Sequence, residues 1–484
     1  MPKTSVVPNP PSIAPPLSFR EVQKQEDTPE QLQEIKIERA EAITEEFSED
    51  ALALKASRSL QTDWRIMKDR GWLRYGGDSR PVWESVTAPL DICRIVCRDE
   101  SQAAVTPVER RRIQSAKTAS AVLKLVEHDP RHEMLPDQFD ADPDILITPA
   151  GAIDLRTFET KPSGRSYYST MITSASRASG KPEKWLDFLK WATDGSAELQ
   201  SDLQRAAGYF LTGHTNEERM HFLYGTGGNG KGTFINTLSS IMGTYAREAS
   251  SDVFLEQRFA QHPTALAGLK GARLVTATEL SQGRVWNTSL VKHLTGGDKI
   301  SARYMNHDFF EFKPNFKLVI SGNHKPELPS VDEAMRRRIL LVPFQKNISD
   351  AERDTGLKAT LLKESGQILE WMLEGCAEWR VKTLAPSSEI LNASSEYLAD
   401  EDSIGNWMAE CCRVGEGNED SSSALFESWS KWRKESNEDP GSQKAFSQEL
   451  SNRPGLVKSR NARVRGFSGI ALLSNIARGN HAEK

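Results

Sequence analysis

A glycine-rich loop at residues 225–233 constrains the fold of this chain more than any other feature. It reads G-T-G-G-N-G-K-G-T, follows an apolar run at 220–224 and precedes a segment, 233–242, with apolar residues at helical spacing. A strand, a glycine loop and a helix in this order form a phosphate-binding loop, in which successive backbone N–H groups face one anion. We therefore expect an α/β core that binds a nucleoside triphosphate. A flexible glycine turn is the alternative.

The residue after the loop lysine departs from the usual pattern. A Ser or Thr normally follows Lys231 and ligates Mg²⁺, but Gly232 stands there and Thr233 comes one residue late. One residue along a helix turns the side chain by about 100°, so Thr233 cannot simply substitute. We expect ATP and Mg²⁺ as cofactors, with Thr233 and Glu279 as the metal ligands that the chain offers. The expected nucleotide-binding residues are Gly225, Thr226, Gly227, Gly228, Asn229, Gly230, Lys231, Gly232 and Thr233.

The composition is that of an ordinary soluble protein. With 484 residues, of which 38% are hydrophobic, the chain is long enough for about two to four domains. No stretch approaches the roughly 20 apolar residues that cross a bilayer, so we expect a cytoplasmic protein with no membrane partner. Five cysteines, an odd number, argue against a disulfide framework. A zinc site of Cys93 and Cys97 with His128 and His132 is a weak alternative, because the spacing is loose.

The charge is unevenly distributed along the chain. Residues 20–50 hold eleven acids against four bases, whereas residues 453–484 hold seven bases against one acid. We therefore expect any contact with nucleic acid near the C-terminal end, unless this run is only a solvated face. The patterns divide the chain into a disordered or marginally helical acidic tail (1–60), an N-terminal accessory region (61–143), a helical domain that opens with a hairpin (144–215), the expected nucleotide-binding core (216–345), a helical extension (346–385), a C-terminal domain (386–475) and a short tail (476–484).

Two further strands supply the other parts of a nucleotide site. The run R-L-V-T-A-T-E at 273–279 fits a second strand beside the loop strand, whose terminal Glu279 would polarise the attacking water. A third strand, 316–321, ends in Gly322 and Asn323, and the Asn323 amide could orient that water as a polar sensor. An exposed glutamate and a turn asparagine are the respective alternatives.

Three arginines follow in the segment D-E-A-M-R-R-R-I-L-L-V-P-F at 332–344. Guanidinium groups delivered from a neighbouring subunit can neutralise charge on a transferring phosphoryl group. Solvation of a helix end is the alternative explanation.

The order of these motifs resembles the superfamily III helicases, and most closely the helicase half of phage and plasmid primase-helicases. The resemblance covers about residues 140 to 470 and also includes A-A-G-Y-F-L-T-G at 206–213, V-K-H-L-T-G-G-D-K-I-S-A-R-Y at 291–304 and F-E-F-K-P-N-F-K-L-V-I-S-G-N-H-K-P at 310–326. It implies an AAA+-type P-loop ATPase core with a parallel central sheet, assembled as a ring, usually a hexamer, around single-stranded DNA. In this family the positions of Lys231, Glu279, Asn323 and Arg337 or Arg338 are catalytic.

The resemblance also implies the DNA contacts. Lys292 falls in an extra motif between the acid and the sensor, and Arg303 and His307 lie near the tip of a pore hairpin at 300–312. The C-terminal part resembles a winged-helix domain with a recognition helix at 442–452 and a wing at 456–467. The bases of that wing are Lys458, Arg460, Arg463 and Arg465.

These expectations combine into an ATP-dependent DNA helicase that replicates a phage, prophage or plasmid in the cytoplasm of a bacterial host. It would act on single-stranded and forked DNA. The first 140 residues show no paired-aspartate strand that could hold polymerase metals, so priming would fall to a separate primase or polymerase. An ATP-binding replication initiator or loader with weak or no hydrolysis is the alternative, and a small-molecule kinase is a third.

Overall fold

The computed structural model of the chain describes residues 47–67, 70–257, 263–278, 283–305, 308–328, 331–348, 354–436, 438–460 and 465–474. The described chain is mixed α/β and divides into two compact units. The first holds residues up to Arg74 together with Ser85–Pro136, and the second holds Tyr75–Glu84 together with the rest of the chain from Asp137.

The first unit has a small helical core. Ser48 begins helix α1 by accepting a hydrogen bond from the Ala51 amide at 3.0 Å, and Leu52 and Leu60 of this helix are buried at 1% exposure. Residues 49–60, which the sequence pattern placed in a disordered or marginally helical tail, therefore form a helix that packs into this core. Residues 1–46 lie outside the described part. The elements up to residue 136 are α1 (Glu49–Leu60), β1 (Trp64–Met67), β2 (Gly71–Tyr75), β3 (Trp83–Ser85), α2 (Leu90–Glu100), α3 (Pro107–Ile113), α4 (Ala116–Val126) and β4 (Glu133–Met134).

The cysteines of the first unit are core residues. Cys93 and Cys97 are at most 1% exposed among apolar side chains of α1 and α4, and burial raises the pKa of Cys93 to about 12. A thiol with such a pKa stays protonated and is a poor metal ligand. Within the described ranges, no group of three or more His, Cys, Asp or Glu is arranged to hold a metal ion.

The second unit opens with the expected hairpin, in which Ile145 pairs with Asp154 and Thr148 with Gly151. Two helices then lead to the central sheet, where the sequence predicts the nucleotide-binding core. The elements of this part are β5 (Ile145–Thr148), β6 (Gly151–Asp154), β7 (Thr160–Lys161), α5 (Glu183–Ala192) and α6 (Ala197–Phe210).

A five-stranded parallel sheet forms the centre of the second unit, in the order β14-β8-β13-β10-β9. Its strands are buried on both faces, as parallel sheets usually are. Leu223 faces a core with helices α6 and α12, whereas the adjacent Phe222 faces a second core with Tyr397. The elements are β8 (Met220–Tyr224), α7 (Lys231–Met242), β9 (Ala246–Glu248), α8 (Thr264–Ala267), β10 (Leu274–Ala277), α9 (Thr288–Gly296), β11 (Ile300–Ala302), β12 (Phe310–Phe312), β13 (Lys317–Gly322), α10 (Glu333–Arg336), β14 (Ile339–Pro343), α11 (Leu357–Lys363), α12 (Ser365–Lys382) and α13 (Ser388–Asp400).

The sheet order corrects one expectation from the sequence. The strand that leads to Glu279, β10, is not beside the loop strand β8, because β13 lies between them and pairs with both. The strand that leads to Asn323, β13, is therefore the immediate neighbour of the loop strand.

The C-terminal part has three helices and a three-stranded antiparallel sheet around its own core of Trp407, Trp429, Phe446 and Phe467. Helix α13, which the sequence pattern placed in this domain, instead packs on the central sheet, where the Leu341 amide donates to Ser394 Oγ at 2.8 Å. None of the helices within the described ranges is long and apolar enough to cross a membrane. The remaining elements are α14 (Ser403–Cys411), β15 (Cys412–Ser421), α15 (Ser422–Glu435), α16 (Gln443–Ser451), β16 (Val457–Arg460) and β17 (Arg465–Leu472).

Candidate nucleotide-binding site

The loop between β8 and α7 has a backbone that only glycine adopts easily. The φ angles of Gly227, Gly228 and Gly230 are 113°, 61° and 86°, in the region that a Cβ disfavours. Gly230 is the residue before the first helical turn of α7. The first-turn N–H groups of that helix lack intrahelical partners and are available to an anion.

Gly225 is required for a different reason, which is close packing. A Cβ at this position would lie 1.9 Å from Asn229 Nδ2 and 2.1 Å from the Phe344 carbonyl oxygen. Asn229 is 2% exposed and donates from Nδ2 to that same carbonyl at 2.8 Å. The loop is thus fastened to the end of β14.

Lys231 is 6% exposed, and its ammonium donates to three uncharged oxygens. These are the Gly225 carbonyl at 2.7 Å, Asn229 Oδ1 at 2.8 Å and Asn323 Oδ1 at 3.1 Å. Burial lowers the pKa of Lys231 to about 8, because these partners do not compensate fully for lost hydration.

Asn323 follows β13 and is exposed. Because β13 pairs with β8, the carboxyl ends of the two strands meet at one edge of the sheet, and the Asn323 amide reaches the loop lysine. The structure thereby brings together two residues that lie 92 positions apart in the sequence. Glu279, the expected catalytic acid, lies outside the described residues.

The loop has a third neighbour that the sequence analysis missed, the segment after β14. Ile348 donates its amide to the Gly228 carbonyl at 3.0 Å, and Asn347 Nδ2 donates to Thr226 Oγ1 at 3.2 Å. The only signal in the sequence was the position of this segment directly after a buried strand. Through these two hydrogen bonds the segment contacts the loop at Gly228 and Thr226.

The first turn of α7 offers little to a metal ion. Gly232 is exposed and offers no side chain; beyond its chain neighbours and the backbone of its own helix, the one described atom within 4 Å of a Cβ built there is Asn236 Nδ2, at 4.0 Å. Thr233 is half-buried on another side of the helix. Residues 225–233 therefore fit the phosphates of a nucleotide better than they fit a metal ion.

The three arginines before β14 have different environments. Arg338 is buried, with Nε donating to Thr295 Oγ1 at 3.0 Å and Nη2 to Glu218 Oε2 at 2.9 Å. Arg336 Nη2 lies 3.1 Å from Asp402 Oδ2. The side chain of Arg337 is 58% exposed and has a longer contact, 3.3 Å, to Glu218. Of the two expected catalytic arginines, Arg337 is therefore exposed at the surface of the chain and Arg338 is buried.

The arginines and the glycine loop lie at opposite ends of the same two strands. Met220 pairs with Ile339 and Tyr224 with Pro343, in parallel. Arg337 precedes the first of these pairs and the loop follows the last, and five strand residues span about 17 Å. Arg337 is therefore remote from the loop of its own chain.

The hairpin of β11 and β12 presents an aromatic and a basic side chain near its tip. Phe309 is 58% exposed, and the Arg303 guanidinium carbon lies 5.0 Å from the centre of its ring. Met305 is also exposed, at 66%. His307 lies outside the described residues, and Lys292 forms an ion pair with Asp332 away from the tip.

In the C-terminal sheet, Lys458 on β16 and Arg465 on β17 are exposed. Arg460 pairs with Arg465 in the backbone ladder. Arg463 lies outside the described residues.

Two family models match parts of the chain. Residues 40–194 match the model described as "D5 N terminal like", and residues 223–338 match a "Family of unknown function", DUF5906. The second match runs from the loop strand to the last of the three arginines.

Viral proteins described as putative helicases are similar over parts of the chain. One from Acanthamoeba polyphaga mimivirus is 31% identical over 151 residues, which are 31% of this chain and 16% of that protein. One from Frog virus 3 is 26% identical over 235 residues, 44% of this chain and 24% of that protein. The chain thus spans less than a quarter of the length of these relatives.

Among solved structures, the apo form of the NrS-1 C terminal region (305–718) is 11% identical, with a TM-score of 0.49 over 86% of this chain and 98% of that one. The A form of the same region has a TM-score of 0.48 at 11% identity, over 84% of this chain and 86% of that one. These values describe a loose overall likeness.

Proposed function

We propose that the chain is an ATP-dependent DNA helicase of the superfamily III type, with an AAA+-type P-loop core. The observation that carries this proposal is the contact of Lys231 with Asn323. A phosphate-loop lysine and a polar group from the adjacent strand meet at the point where the γ-phosphate of a bound nucleotide would lie. A glycine turn without this function would not need a buried lysine or a neighbouring amide.

The position of Arg337 supports hydrolysis between subunits. Since this exposed arginine lies at the far end of the sheet from its own loop, it can neutralise the transferring phosphoryl group only in another copy. Such head-to-tail contacts form rings when the rotation closes. We propose a ring, with six copies as in the family that the sequence resembles.

Two further features support DNA as the substrate. Exposed aromatic and basic side chains on the hairpin suit stacking on the bases of a single strand. We propose a winged helix for the C-terminal part because its order of helix, strand, two helices and a strand pair agrees with that fold, and its exposed Lys458 and Arg465 suit phosphate contacts. The similarity to viral proteins described as putative helicases agrees with this assignment.

The test is strand displacement on forked DNA by the purified chain, with ATP turnover measured with and without DNA. We expect unwinding and a DNA-stimulated ATPase, both abolished in the Lys231→Ala variant. Turnover no higher than that of this variant would overturn the helicase assignment. Turnover that ignores DNA would favour a small-molecule kinase.

A second candidate is a replication initiator or loader that binds ATP without hydrolysing it. The observation in its favour is Gly232, which leaves the usual hydroxyl ligand of Mg²⁺ absent. It predicts ATP-dependent assembly on DNA at the same rate with a non-hydrolysable analogue, whereas the helicase predicts unwinding with ATP alone.

A further inference from the structure

Glu218 connects the exposed Arg337 to the buried Arg338. Its Oε2 accepts a hydrogen bond from Arg338 Nη2 at 2.9 Å, and Arg337 Nη2 lies 3.3 Å from the same oxygen. Within the described residues no other carboxylate pairs with Arg337. A single carboxylate oxygen thus contacts one guanidinium that is fixed in the core and one that is exposed at the surface.

The backbone around Glu218 places this carboxylate. The φ angle of Glu218 is 51°, in the left-handed region that a residue with a Cβ rarely adopts unless other contacts compensate. Its amide donates to the Thr215 carbonyl at 3.1 Å, which closes a turn, and the Met220 amide donates to the Arg338 carbonyl at 2.7 Å. The turn therefore brings Glu218 to the beginning of β8, beside the arginines that precede β14.

Arg338 fixes the orientation of the carboxylate. It is 6% exposed, and it donates from Nε to Thr295 Oγ1 and from Nη1 to the Ala334 carbonyl, both at 3.0 Å. Because these partners belong to different elements, the Arg338 guanidinium is held in one orientation, and so is the Glu218 oxygen to which it donates. The contact to the exposed arginine therefore starts from a rigid point.

Arg337 also has a cationic neighbour. Burial lowers the pKa of Arg219, attraction to Glu217 opposes this shift, and repulsion from Arg337 adds to it. Without Glu218, the repulsion between Arg219 and Arg337 would not be offset by a carboxylate in contact with Arg337. An arginine without an anchor samples many rotamers, and this freedom is lost when the side chain binds.

We propose that Glu218 is a positioning residue for Arg337, and that it orients the guanidinium towards the nucleotide of a neighbouring copy before the two copies meet. This inference rests on the proposed function, in which Arg337 acts between copies. The contact is weak enough for this role, because an ion pair with an exposed arginine contributes little to stability. A transferring phosphoryl group can therefore take over the guanidinium without a large penalty.

The experiment measures kcat and KM for ATP in Glu218→Gln, which keeps an oxygen for Arg338 but removes the charge. We expect kcat to fall about tenfold, since a displacement of about 1 Å can cost up to about 10²-fold in rate. The KM and the affinity for a fluorescent ATP analogue should not change, because the glycine loop lies at the other end of the strand. Glu396→Gln, which changes an exposed glutamate on α13, is the matched control and should behave like the parent.

A double-mutant cycle separates positioning from a structural role. If Glu218 acts through Arg337, Glu218→Gln should cause no further loss of turnover in the Arg337→Ala background. Radiolabelled ATP makes the residual turnover of that background measurable. Glu218→Gly, which suits the left-handed backbone, should lower kcat at least as much as Glu218→Gln, and only when Arg337 is present.

An unchanged or higher kcat in Glu218→Gln would overturn the inference. An equal loss with and without Arg337 would also overturn it, because that result indicates a role in folding. Failure of the proposed function is distinguishable, since Arg337→Ala would then retain the turnover of the parent chain whichever residue stands at position 218.

Discussion

At the scale of single residues, the most informative feature of the glycine loop is the environment of the Lys231 ammonium. This ammonium is buried and is surrounded by a carbonyl and two amide oxygens, so its charge is only partly stabilised and its pKa falls to about 8. A triphosphate would bring several negative charges to the same point. The charged form of the lysine would then be favoured, and its pKa would rise.

This shift predicts a pH dependence of nucleotide binding. Below pH 8 the lysine is already charged, so affinity should be nearly constant; as the pH rises above 8, affinity should fall, because binding must then take up a proton. Calorimetry at pH 8.5 in buffers of different ionisation enthalpy should detect this uptake. The Lys231→Met variant should show none, and equal uptake in that variant would assign the proton to another group.

A matched pair of glycine substitutions tests the packing of the loop. Gly225→Ala would place a methyl group 1.9 Å from Asn229 Nδ2 and should displace Asn229 from Lys231. We expect at least a tenfold loss of affinity for a fluorescent ATP analogue in EDTA, corresponding to about 1.4 kcal/mol. Gly232→Ala, which adds the same atom in open space, should bind normally in EDTA. Equal effects of the two substitutions would contradict the structure.

At the scale of elements, Asp402 joins the core to the C-terminal part. It accepts from the Gly405 amide at 2.9 Å at the start of α14, lies 3.1 Å from Arg336 Nη2 and receives Arg453 Nη1 at 2.6 Å. Burial raises the pKa of Asp402, but the hydrogen bonds from Arg453 and Gly405 outweigh it, and the net shift is downward.

Asp402→Asn should therefore loosen α14. Loss of a partly buried charge that serves two guanidinium groups should cost about 2 kcal/mol, which is roughly a thirtyfold rise in amide exchange over residues 403–411, measured by mass spectrometry. Because the folded pKa is lowered, this stabilisation is present above the unfolded pKa of about 4 and is lost as the pH falls through the lower folded value. Glu435→Gln, in an exposed pair with Lys431, is the control and should change exchange little.

The elements differ in how far the sequence could predict them. The loop strand, the helix to Met242 and the hairpin at 145–154 followed from local patterns, and the structure has them at those positions. The order of the strands did not follow, because pairing of β13 with both β8 and β10 depends on contacts between distant segments. The same reason made Asn347 and Asp402 invisible to sequence patterns, because their side-chain partners are 121 positions away for Asn347 and 51 or more for Asp402.

At the scale of the whole molecule, the separation of Arg337 from its own loop predicts cooperation between copies. Arg337→Ala should keep ATP binding and thermal stability but lose turnover by about 10³-fold, the usual effect of removing such an arginine. Arg338→Ala should instead lower the melting temperature, because it removes the contacts to Thr295 and Glu218. Reversed results would exchange the two roles.

Mixing two inactive variants tests the arrangement directly. Lys231→Ala retains Arg337, and Arg337→Ala retains the loop, so one in four random heterologous contacts combines a working loop with a working arginine, and an equimolar mixture should recover about a quarter of parental turnover. No recovery would mean that the arginine does not act between copies.

The placement of the loop and the arginine at opposite ends of one sheet has a kinetic consequence. A single copy would hold halves of two different sites and no complete one, so under the proposed arrangement turnover per chain would fall on dilution even though every chain remained folded. The ATP turnover per chain would then depend on the local concentration of copies. A nucleic acid strand that gathers copies along its length would accelerate hydrolysis by proximity alone, without any change in the shape of the site.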